Sequence, residues 1–417
     1  MAPVPRPESV FRGNVAVLSV SVACAVMAGM IWYPVLPLYY RDLQATDYQV
    51  SVAYGLLVIV GSFVQLAGGY LSDRFGRKPL IVVPTFINAA VVLAAGFSSS
   101  WAALTAFVVT QNAAGALQMP SFLTIIAETV PPERQGDAYA LLELFVSLGL
   151  GLGPALGAVL LPRLPFRGLF AVSAAIYLAV AVVRAVALRE TRPRMRTQAR
   201  RAAAPDPLPL PLGARPAFSP GALFRGRLLW LAVTAVAVAV GVNVTVYGPF
   251  IPLLLHDALS LSKRQIDVLY SVGPLVAAAL GLAMGRFVAR RGPGPAVAWG
   301  LGGAGVCLIA LLVAPTFGWA LALMTGAGVF LQLNFIGYDT LRAVATTPEM
   351  RGRVVGALGA LGGVVGALSV PLVGKWAETA GPGLACWVGA VFCAAGAGSA
   401  IVAERWGSRD EPALGER

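Results

Sequence analysis

Two carboxylates, Glu143 and Asp339, lie inside long apolar stretches of the sequence, where charged groups are unusual. An ionisable side chain within a membrane span costs several kcal/mol unless it faces a cavity or a partner, so each is a candidate for binding and releasing a proton. Arg342 follows Asp339 by three residues, so Asp339 could instead form a local ion pair on one helix. Glu143 has no such partner on its own helix, which makes it the better proton-coupling candidate.

Uncharged polar residues also occur within apolar stretches, at spacings that place them on shared helix faces. Gln111 and Gln118 are seven residues apart, and Asn243 and Tyr247 are four residues apart. Amides and aromatic rings without a fixed charge suit amphipathic or weakly polar solutes, whereas phosphate or carboxylate substrates are usually held by Arg or Lys. The alternative is that these amides only bridge neighbouring helices.

The segment GGYLSDRFGRKPL, residues 68–80, brings glycines and four charges together directly after an apolar run. Only 12% of the chain's residues are charged, so this density is unusual. If the segment merely orients the chain in a membrane, that role explains the basic residues Arg74, Arg77 and Lys78. Asp73 is explained poorly in that way, because an acid stands where basic residues are the default. The segment therefore predicts a role beyond topology.

The composition defines the kind of elements that must position these residues. Of 417 residues, 58% are hydrophobic, whereas soluble proteins are about 45–50% apolar and about 25% charged. An integral membrane protein is therefore predicted. Its net charge of +12 comes from basic residues clustered between apolar runs, which indicates membrane orientation and not a nucleic-acid partner. The cysteines show no metal-ligand spacing, so neither a metal nor another cofactor is expected.

Twelve segments are long and apolar enough to cross a bilayer, which requires about 20 residues. They lie near residues 14–40, 49–72, 79–97, 101–128, 136–162, 166–188, 227–255, 265–289, 295–315, 318–345, 352–376 and 382–404. The basic, proline-rich residues 189–226 predict a cytoplasmic linker between domains 1–188 and 227–417. Basic residues in the short loops favour one side, so both termini are predicted to be cytoplasmic in the cell (inner) membrane.

The two groups of six spans repeat each other. Four pairs of segments match in the same order at displacements of 215 to 217 residues: 69–79 with 285–295, 132–136 with 348–352, 36–42 with 251–257, and 153–157 with 370–374. Four ordered matches at nearly one displacement predict two six-helix bundles related by duplication, each entering the membrane in the same way.

These features resemble the major facilitator superfamily, a family of secondary transporters, over nearly the whole chain. The family's signature between spans 2 and 3 is matched at Gly69, Leu71, Asp73, Arg74, Gly76, Arg77 and Lys78. The resemblance implies an all-α membrane protein of two pseudo-symmetric bundles that works as a monomer. It also implies that Asp73 ties the bundles together on the cytoplasmic side, although the second copy has Ala289 in its place. Gly69 and Gly76 are expected to allow close helix contact.

Spans 1 and 5 resemble those of exporters within this family. Span 5 matches the antiporter motif at Gly149, Gly153, Pro154 and Gly157. Span 1 partly matches the pattern of twelve-span drug:proton antiporters, with prolines at 34 and 37 but Met27-Ala28 where that pattern has Leu-Gly. One departure concerns proton coupling, because span 4 of these antiporters usually carries an Arg where this chain has Gln111.

The resemblance also places a substrate cavity, since spans 1, 4, 7 and 10 line it in the family. The repeat pairs Trp32 with Tyr247 and Gln118 with Asn334 across that cavity. The candidate cavity residues are Trp32, Tyr33, Gln111, Asn112, Gln118, Asn243, Tyr247, Gln332, Asn334 and Tyr338. Trp32 and Tyr33 could instead join an interfacial aromatic belt, although Pro34 favours a kink inside the protein.

The leading interpretation is a secondary active transporter that exports small amphipathic compounds in exchange for protons, by alternating access, as multidrug-efflux proteins do. The alternatives are a facilitator or importer of a neutral solute such as a sugar, and a flippase for a lipid-like molecule. A membrane sensor would need an output domain, and no catalytic or nucleotide-binding motif is present, so an enzyme is not expected. The expected partners are a small-molecule substrate, protons and the lipid bilayer.

Overall fold

The computed structural model describes residues 11–191, 226–346 and 348–409. Within these ranges the chain forms fourteen α-helices and one 3₁₀ turn, Pro132–Arg134, and no β-strand. The helices are α1 (Gly13–Met30), α2 (Leu36–Asp42), α3 (Asp47–Phe75), α4 (Arg77–Ala95), α5 (Trp101–Thr129), α6 (Gln135–Leu160), α7 (Phe166–Ala187), α8 (Gly226–Val244), α9 (Phe250–Leu259), α10 (Lys263–Arg291), α11 (Pro293–Leu311), α12 (Phe317–Val344), α13 (Pro348–Ala380) and α14 (Leu384–Arg409). The predicted all-α fold is confirmed, whereas most of the predicted linker, 192–225, lies outside the described residues.

Spans 1 and 7 are each built from two helices. Residues 31–35 separate α1 from α2, and residues 245–249 separate α8 from α9. Pro34 lies in the first gap and Pro249 in the second, and proline lacks the N–H group that a continuing helix requires. The kink expected near Pro34 is therefore a full interruption, and it recurs in the second half.

Eleven of the described helices are long and apolar enough to cross a membrane. The 29-residue α5 is not among them, because Gln111, Asn112 and Gln118 lower its mean hydropathy. Large apolar side chains such as Leu282 and Val186, each 82% exposed, lie on the outer faces of the helices. An exposed apolar surface of this extent is suited to lipid and not to water. The chain is therefore a multi-pass membrane protein.

The helices α3 and α10 begin and end alike, as the repeat predicts. Capping boxes at Thr46–Gln49 and Ser262–Gln265 begin them, and each box satisfies N–H groups that the first turn of a helix leaves free. Gly76 (φ 100°) and Gly292 (φ 90°) follow them and lead directly into α4 and α11. Residues with a Cβ atom rarely adopt positive φ, so the tight connection depends on glycine in both halves.

The two bundles, α1–α7 and α8–α14, meet where α3 packs against α13 and α6 packs against α10. The bundles are in contact at the end of the molecule that carries α2 and α9, which we name the closed end. There Gly157 of α6 faces Asp267 of α10, and Gly374 of α13 faces Ser51 of α3. Both contacts bring helix backbones together at a glycine, as is common between helices in lipid.

Toward the opposite end, which we name the open end, glycines of the same four helices face open space. Beyond their own helix, no described atom lies within 4 Å of the Cβ positions of Gly69, Gly136, Gly281, Gly285, Gly356 and Gly359. The described part of the molecule is therefore sealed at one end of the axis between the bundles and free at the other.

Candidate functional site

Ion pairs join the two bundles at the closed end. Arg41 of α2 donates to both carboxylate oxygens of Asp257 on α9, at 2.8 and 3.0 Å, and also to Asp47 of its own bundle. Lys263 of α10 donates to Asp42 at 2.7 Å. These side chains are partly exposed, and exposed pairs of this kind contribute about 0–1 kcal/mol each. The pairs therefore contribute little to the free energy of closure, and their main effect is to align the two bundles.

The breaks in spans 1 and 7 also face each other. Tyr33, in the first break, donates its hydroxyl to the backbone carbonyl of Tyr247, in the second, at 2.8 Å. The Tyr33 ring also packs edge-on against Tyr54 of α3 at a centroid distance of 5.8 Å. A broken helix leaves carbonyls without donors, and Tyr33 satisfies one of them. These two predicted cavity residues therefore lie where the bundles meet.

Trp32, the neighbour of Tyr33, is placed differently. It is 1% exposed and donates its indole N–H to Ser173 of α7 at 3.2 Å. Its ring contacts Phe170 of the same helix at a centroid distance of 5.1 Å. Trp32 thus fills the interior of the first bundle, away from both a lipid interface and the space between the bundles.

Three of the predicted cavity amides, Gln111, Asn112 and Asn243, are half-buried and bonded to helices. Their acceptors are, in the same order, the Tyr177 hydroxyl on α7 at 3.0 Å, the Leu57 carbonyl on α3 at 2.7 Å, and the Ala239 carbonyl on α8 at 2.8 Å. Gln332 on α12 is half-buried as well. The bonds of Gln111 and Asn112 join two helices and agree with a bridging role, whereas the bond of Asn243 lies within α8 itself. The partial exposure leaves all three amides within reach of a solute.

Gln118 lies inside the first bundle and is 3% exposed. Its Oε1 accepts a hydrogen bond from Nη1 of Arg184 on α7 at 2.8 Å and one from Thr85 on α4 at 3.3 Å. Arg184, itself 1% exposed, also donates to Thr85 and to Ser21 of α1 and lies over the Phe122 ring. This cluster joins α1, α4, α5 and α7. The hydrogen bonds of Gln118 therefore connect helices within the first bundle, and the side chain does not face the space between the bundles.

Arg184 is a polar residue that the sequence analysis missed. No carboxylate pairs with it among the described residues, and its Nη2 has no hydrogen-bond acceptor there. A buried charge without a counter-ion is energetically costly. The sequence carries no signal for it, because an Arg near the end of the predicted span 166–188 looks like an ordinary orienting residue.

Asn334 and Tyr338 lie inside the second bundle. Asn334 is fully buried, and neither atom of its amide group has a hydrogen-bond partner among the described residues. Tyr338, one turn later, donates to the Leu231 carbonyl at 3.3 Å and lies 4.6 Å from the guanidinium of Arg342. Gln118 and Asn334, which the repeat pairs across the cavity, are therefore each buried in their own bundle and do not line the space between the bundles.

The two proton-coupling candidates differ in their contacts. Asp339 forms the local ion pair with Arg342 that the spacing allowed, and its side chain is 68% exposed. Glu143 is exposed, and its carboxylate has no hydrogen bond or ion pair among the described residues. Of these two candidates, Glu143 is therefore the one without a charge partner among the described residues.

The signature at the end of α3 and the start of α4 forms a charge cluster at the open end. Asp73, 77% exposed, pairs with Arg77 at 3.1 Å, and Arg77 also pairs with Glu128 of α5 at 3.1 Å. Glu190, which follows α7, accepts hydrogen bonds from the N–H groups of Arg77 and Lys78 at 3.1 and 3.0 Å. A carboxylate at this position stabilises the start of α4. These contacts all lie within the first bundle.

Two glycines of this segment have separate roles. Gly76 leaves room for Glu190, since a Cβ atom there would lie 2.7 Å from its Oε2. Gly69 faces open space in this conformation, whereas its neighbour Gly68 packs on the α5 backbone, 2.8 Å from the Leu117 carbonyl. The close contact expected at Gly69 is therefore made by Gly68.

The glycines of span 5 pack against α1. A Cβ atom at Gly149 would lie 2.6 Å from the Ala23 carbonyl, and one at Gly153 would lie 2.6 Å from the Met27 carbonyl. Gly157 continues this contact one turn later and also faces Asp267. Pro154 is buried in the same helix. The motif thus places α6 between α1 of its own bundle and α10 of the other.

Two duplicated bundles, joined at one end and apart at the other, define a membrane protein of the secondary-transporter class. The sequence profile of the Major Facilitator Superfamily matches residues 18–370 and, in a second match, residues 234–416. The chain belongs to this superfamily, whose members are transporters and not enzymes.

Relatives of known name match parts of the chain. Multidrug resistance protein MdtL of Klebsiella pneumoniae is 30% identical over 166 residues, which cover 39% of this chain and 42% of MdtL. The tetracenomycin C resistance and export protein of Streptomyces glaucescens is 29% identical over 192 residues, which cover 45% of this chain and 35% of that protein. The chain thus spans less than half the length of these two relatives.

Solved structures share the fold over nearly the whole chain. A bacterial homologue of the human lysosomal transporter Spinster, in an inward-facing and occupied conformation, has a TM-score of 0.70 at 16% identity and covers 96% of this chain and 98% of its own. The human organic anion transporter MFSD10 (TETRAN) has a TM-score of 0.65 at 17% identity and covers 95% of this chain and 100% of its own.

Proposed function

We propose that this protein exports small amphipathic compounds in exchange for protons, by exposing one central site alternately to the two sides of the cell (inner) membrane. The observation that carries the proposal is the contact pattern of α3, α6, α10 and α13, which are packed together at one end and separated at the other. A rocking motion of the two bundles would exchange the open and closed ends.

Three further features support export of amphipathic compounds. The relatives named for multidrug resistance and for tetracenomycin C export support the direction of transport. Half-buried uncharged amides such as Gln111 and Asn243 suit weakly polar solutes. With both termini cytoplasmic, as the basic loops predict, the open end faces the cytoplasm and receives substrate there. Glu143, whose carboxylate is free, is the proposed coupling residue, and the protein acts as a monomer in the bilayer.

The test uses the purified chain in liposomes that contain a pH-sensitive dye, with ethidium and tetracenomycin C as transport probes. An imposed proton gradient should drive probe flux in one direction and proton flux in the other. Glu143→Gln should abolish the proton flux. Glu133→Gln, a matched change at an exposed acid outside the helices that cross the membrane, should leave it unchanged.

Other outcomes would assign the protein differently. Glucose flux that is indifferent to the pH gradient would replace exchange by facilitated diffusion of a neutral solute. Movement of a fluorescent phospholipid between the leaflets, without flux of either probe, would assign a flippase.

A further inference from the structure

Asp267 is a buried carboxyl group at the contact between the bundles. It lies in the second turn of α10 and is 0% exposed, and neither of its side-chain oxygens has a hydrogen-bond partner among the described residues. Gly157 of the opposite bundle lies directly against it, since a Cβ atom at Gly157 would be 2.5 Å from Oδ2. The sequence analysis did not single it out, because the predicted span begins only two residues before it.

The charged and titratable groups around Asp267 are engaged elsewhere or exposed. On its own helix, Lys263 pairs with Asp42, Arg264 is exposed, and the Tyr270 hydroxyl has no partner among the described residues. On the other elements, each nearby titratable side chain is bonded elsewhere. Tyr33 donates to Tyr247, and Arg41 pairs with Asp47 and Asp257. His256 contacts the Leu261 carbonyl, and Arg163 contacts the Val159 carbonyl.

The helices packed against Asp267 add no charge. The turns of α6 around Gly157 and the first three turns of α12 carry no ionisable side chain, and α11 contributes only the thiol of Cys307. Within the described part of the molecule, no cation therefore compensates a charge on Asp267.

The internal repeat provides a matched comparison. Residue 51 precedes residue 267 by 216 positions, and Ser51 occupies the equivalent place against Gly374 in the other interface. The Ser51 hydroxyl is satisfied because it donates to the Tyr48 carbonyl, one turn earlier, at 2.6 Å. The structure thus has a neutral donor at one of two equivalent contacts and a carboxyl group at the other.

The protonation state of Asp267 decides whether it can fill the role of Ser51. A protonated carboxyl group has one O–H donor and can bond to a backbone carbonyl one turn earlier, whereas a carboxylate only accepts hydrogen bonds. Burying a carboxylate without a donor or a cation is strongly unfavourable. The packed contact between α6 and α10 therefore suits only the neutral form.

We propose that Asp267 is a proton-binding site that controls the closure of the contact between α6 and α10. One carboxyl oxygen takes a proton from water on the side that the closed end faces, and the contact then packs. When that O–H bond is broken and the proton returns to water, the carboxylate regains its hydration and α6 separates from α10. This site goes beyond the proposed exchange of protons for substrate, and its effect on closure requires no substrate.

The test measures the distance between the bundles at the closed end as a function of pH. Spin labels are placed at Arg163→Cys, after α6, and Ala258→Cys, on α9, both exposed, in a chain whose four native cysteines are replaced by alanine. Pulsed electron paramagnetic resonance in lipid nanodiscs, without substrate, should show a short distance at low pH and a growing long-distance population at high pH. Asp267→Asn and Asp267→Ser should keep the short distance at every pH.

Two further variants make the result decisive. Glu378→Gln changes an exposed acid that accepts a bond from the Tyr48 N–H in the other interface, and it should keep the wild-type pH profile. Gly157→Val should give the long distance at every pH, because its side chain has no room beside Asp267. Any one of three results would overturn the proposal. The first is a wild-type pH profile in Asp267→Asn, and the second is a distance that does not depend on pH in the wild type. The third is an unchanged distance in Gly157→Val.

The outcome is separable from that of the proposed function. If ethidium exchange fails while the distance still follows pH through Asp267, the exporter assignment is wrong and the proton site stands. If exchange occurs and Asp267→Asn behaves as the wild type does, the exporter assignment stands and Asp267 is only a packed residue.

Discussion

Arg184 connects four helices through side-chain hydrogen bonds to uncharged groups alone. Its partners Ser21, Thr85 and Gln118 are all buried. Hydrogen bonds that involve a charged donor contribute about 1.5–3 kcal/mol, so several of them offset part of the cost of burying the guanidinium. We therefore expect this residue to be a main determinant of the stability of the first bundle.

Arg184→Ala should lower the free energy of unfolding by about 2–4 kcal/mol, because it removes these donors and leaves a cavity. The measurement is thermal unfolding of the purified protein in detergent. Arg189→Ala, five residues later and exposed, should change stability by less than about 0.5 kcal/mol. Equal effects of the two substitutions would contradict a structural role for the buried cluster.

Asp339→Asn should change stability by less than about 1 kcal/mol, because the pair with Arg342 is local and the carboxylate is mostly exposed. Proton flux in liposomes should also be retained, since the coupling role is proposed for Glu143. Loss of proton flux in Asp339→Asn with an unchanged melting temperature would transfer that role to Asp339.

Individual residues of the site were harder to predict than the spans that carry them. The family resemblance and the internal repeat placed Gln118 and Trp32 in the cavity, but neither shows which face of a lining helix points toward it. The structure buries both, since a bundle of six helices has its own interior. Asp267 could have been found, because the repeat displacement leads from Ser51 to an acid. Arg184 could not, because its partners come from three other helices.

At the scale of the helix, α6 is built for two contacts at once. Gly149 and Gly153 bring it against α1, and Gly151 brings it against Leu275 of α10. Small residues allow such double contact because the helix backbones approach closely on both sides. The glycines of span 5 therefore let α6 pack closely against α1 of its own bundle and α10 of the other.

Gly153→Ala should destabilise the protein by about 1–3 kcal/mol, because its Cβ atom would lie 2.6 Å from the Met27 carbonyl and overpack the contact with α1. Thermal unfolding again provides the measurement. The matched control is Gly115→Ala in α5, where no described atom lies within 4 Å of the added carbon. That change should be neutral or stabilise by up to about 1 kcal/mol, since Ala favours a helix. A neutral result at Gly153 would show that α1 and α6 can move apart freely.

Element boundaries followed well from hydropathy and from the repeat. The predicted segments 49–72 and 265–289 correspond to α3 and α10, and matching capping boxes begin both. The interruptions in spans 1 and 7 were only partly foreseen. A proline in an apolar run predicts a kink, but whether the helix resumes in line or breaks depends on tertiary contacts such as that between Tyr33 and Tyr247.

At the scale of the whole molecule, the two bundles touch through a pseudo-symmetric pair of seams, α3 with α13 and α6 with α10. The exposed ion pairs across the closed end add a polar rim to these seams. Because each exposed pair is weak, the rim can open and reclose without a large barrier. This property suits the proposed alternation between two packed states.

Asp42→Lys should raise the long-distance population between spin labels at positions 163 and 258 by about 2–5-fold, which corresponds to about 0.5–1 kcal/mol for one exposed pair. The reason is that Lys263 would then face a like charge across the closed end. Adding Lys263→Asp to the same chain exchanges the two charges and should restore the original distance distribution. If the double variant keeps the long-distance population of the single one, the pair does not contribute to closure.

The polar character of α5 has a consequence for how the protein is made. This helix falls short of the hydropathy that the other long helices reach, and a segment of that kind is inserted poorly on its own. The group that satisfies Gln118 belongs to Arg184, 66 residues further along the chain. We therefore expect α5 to be inserted stably only once α7 has emerged beside it. The first bundle would then be assembled as a set of helices and not one helix at a time.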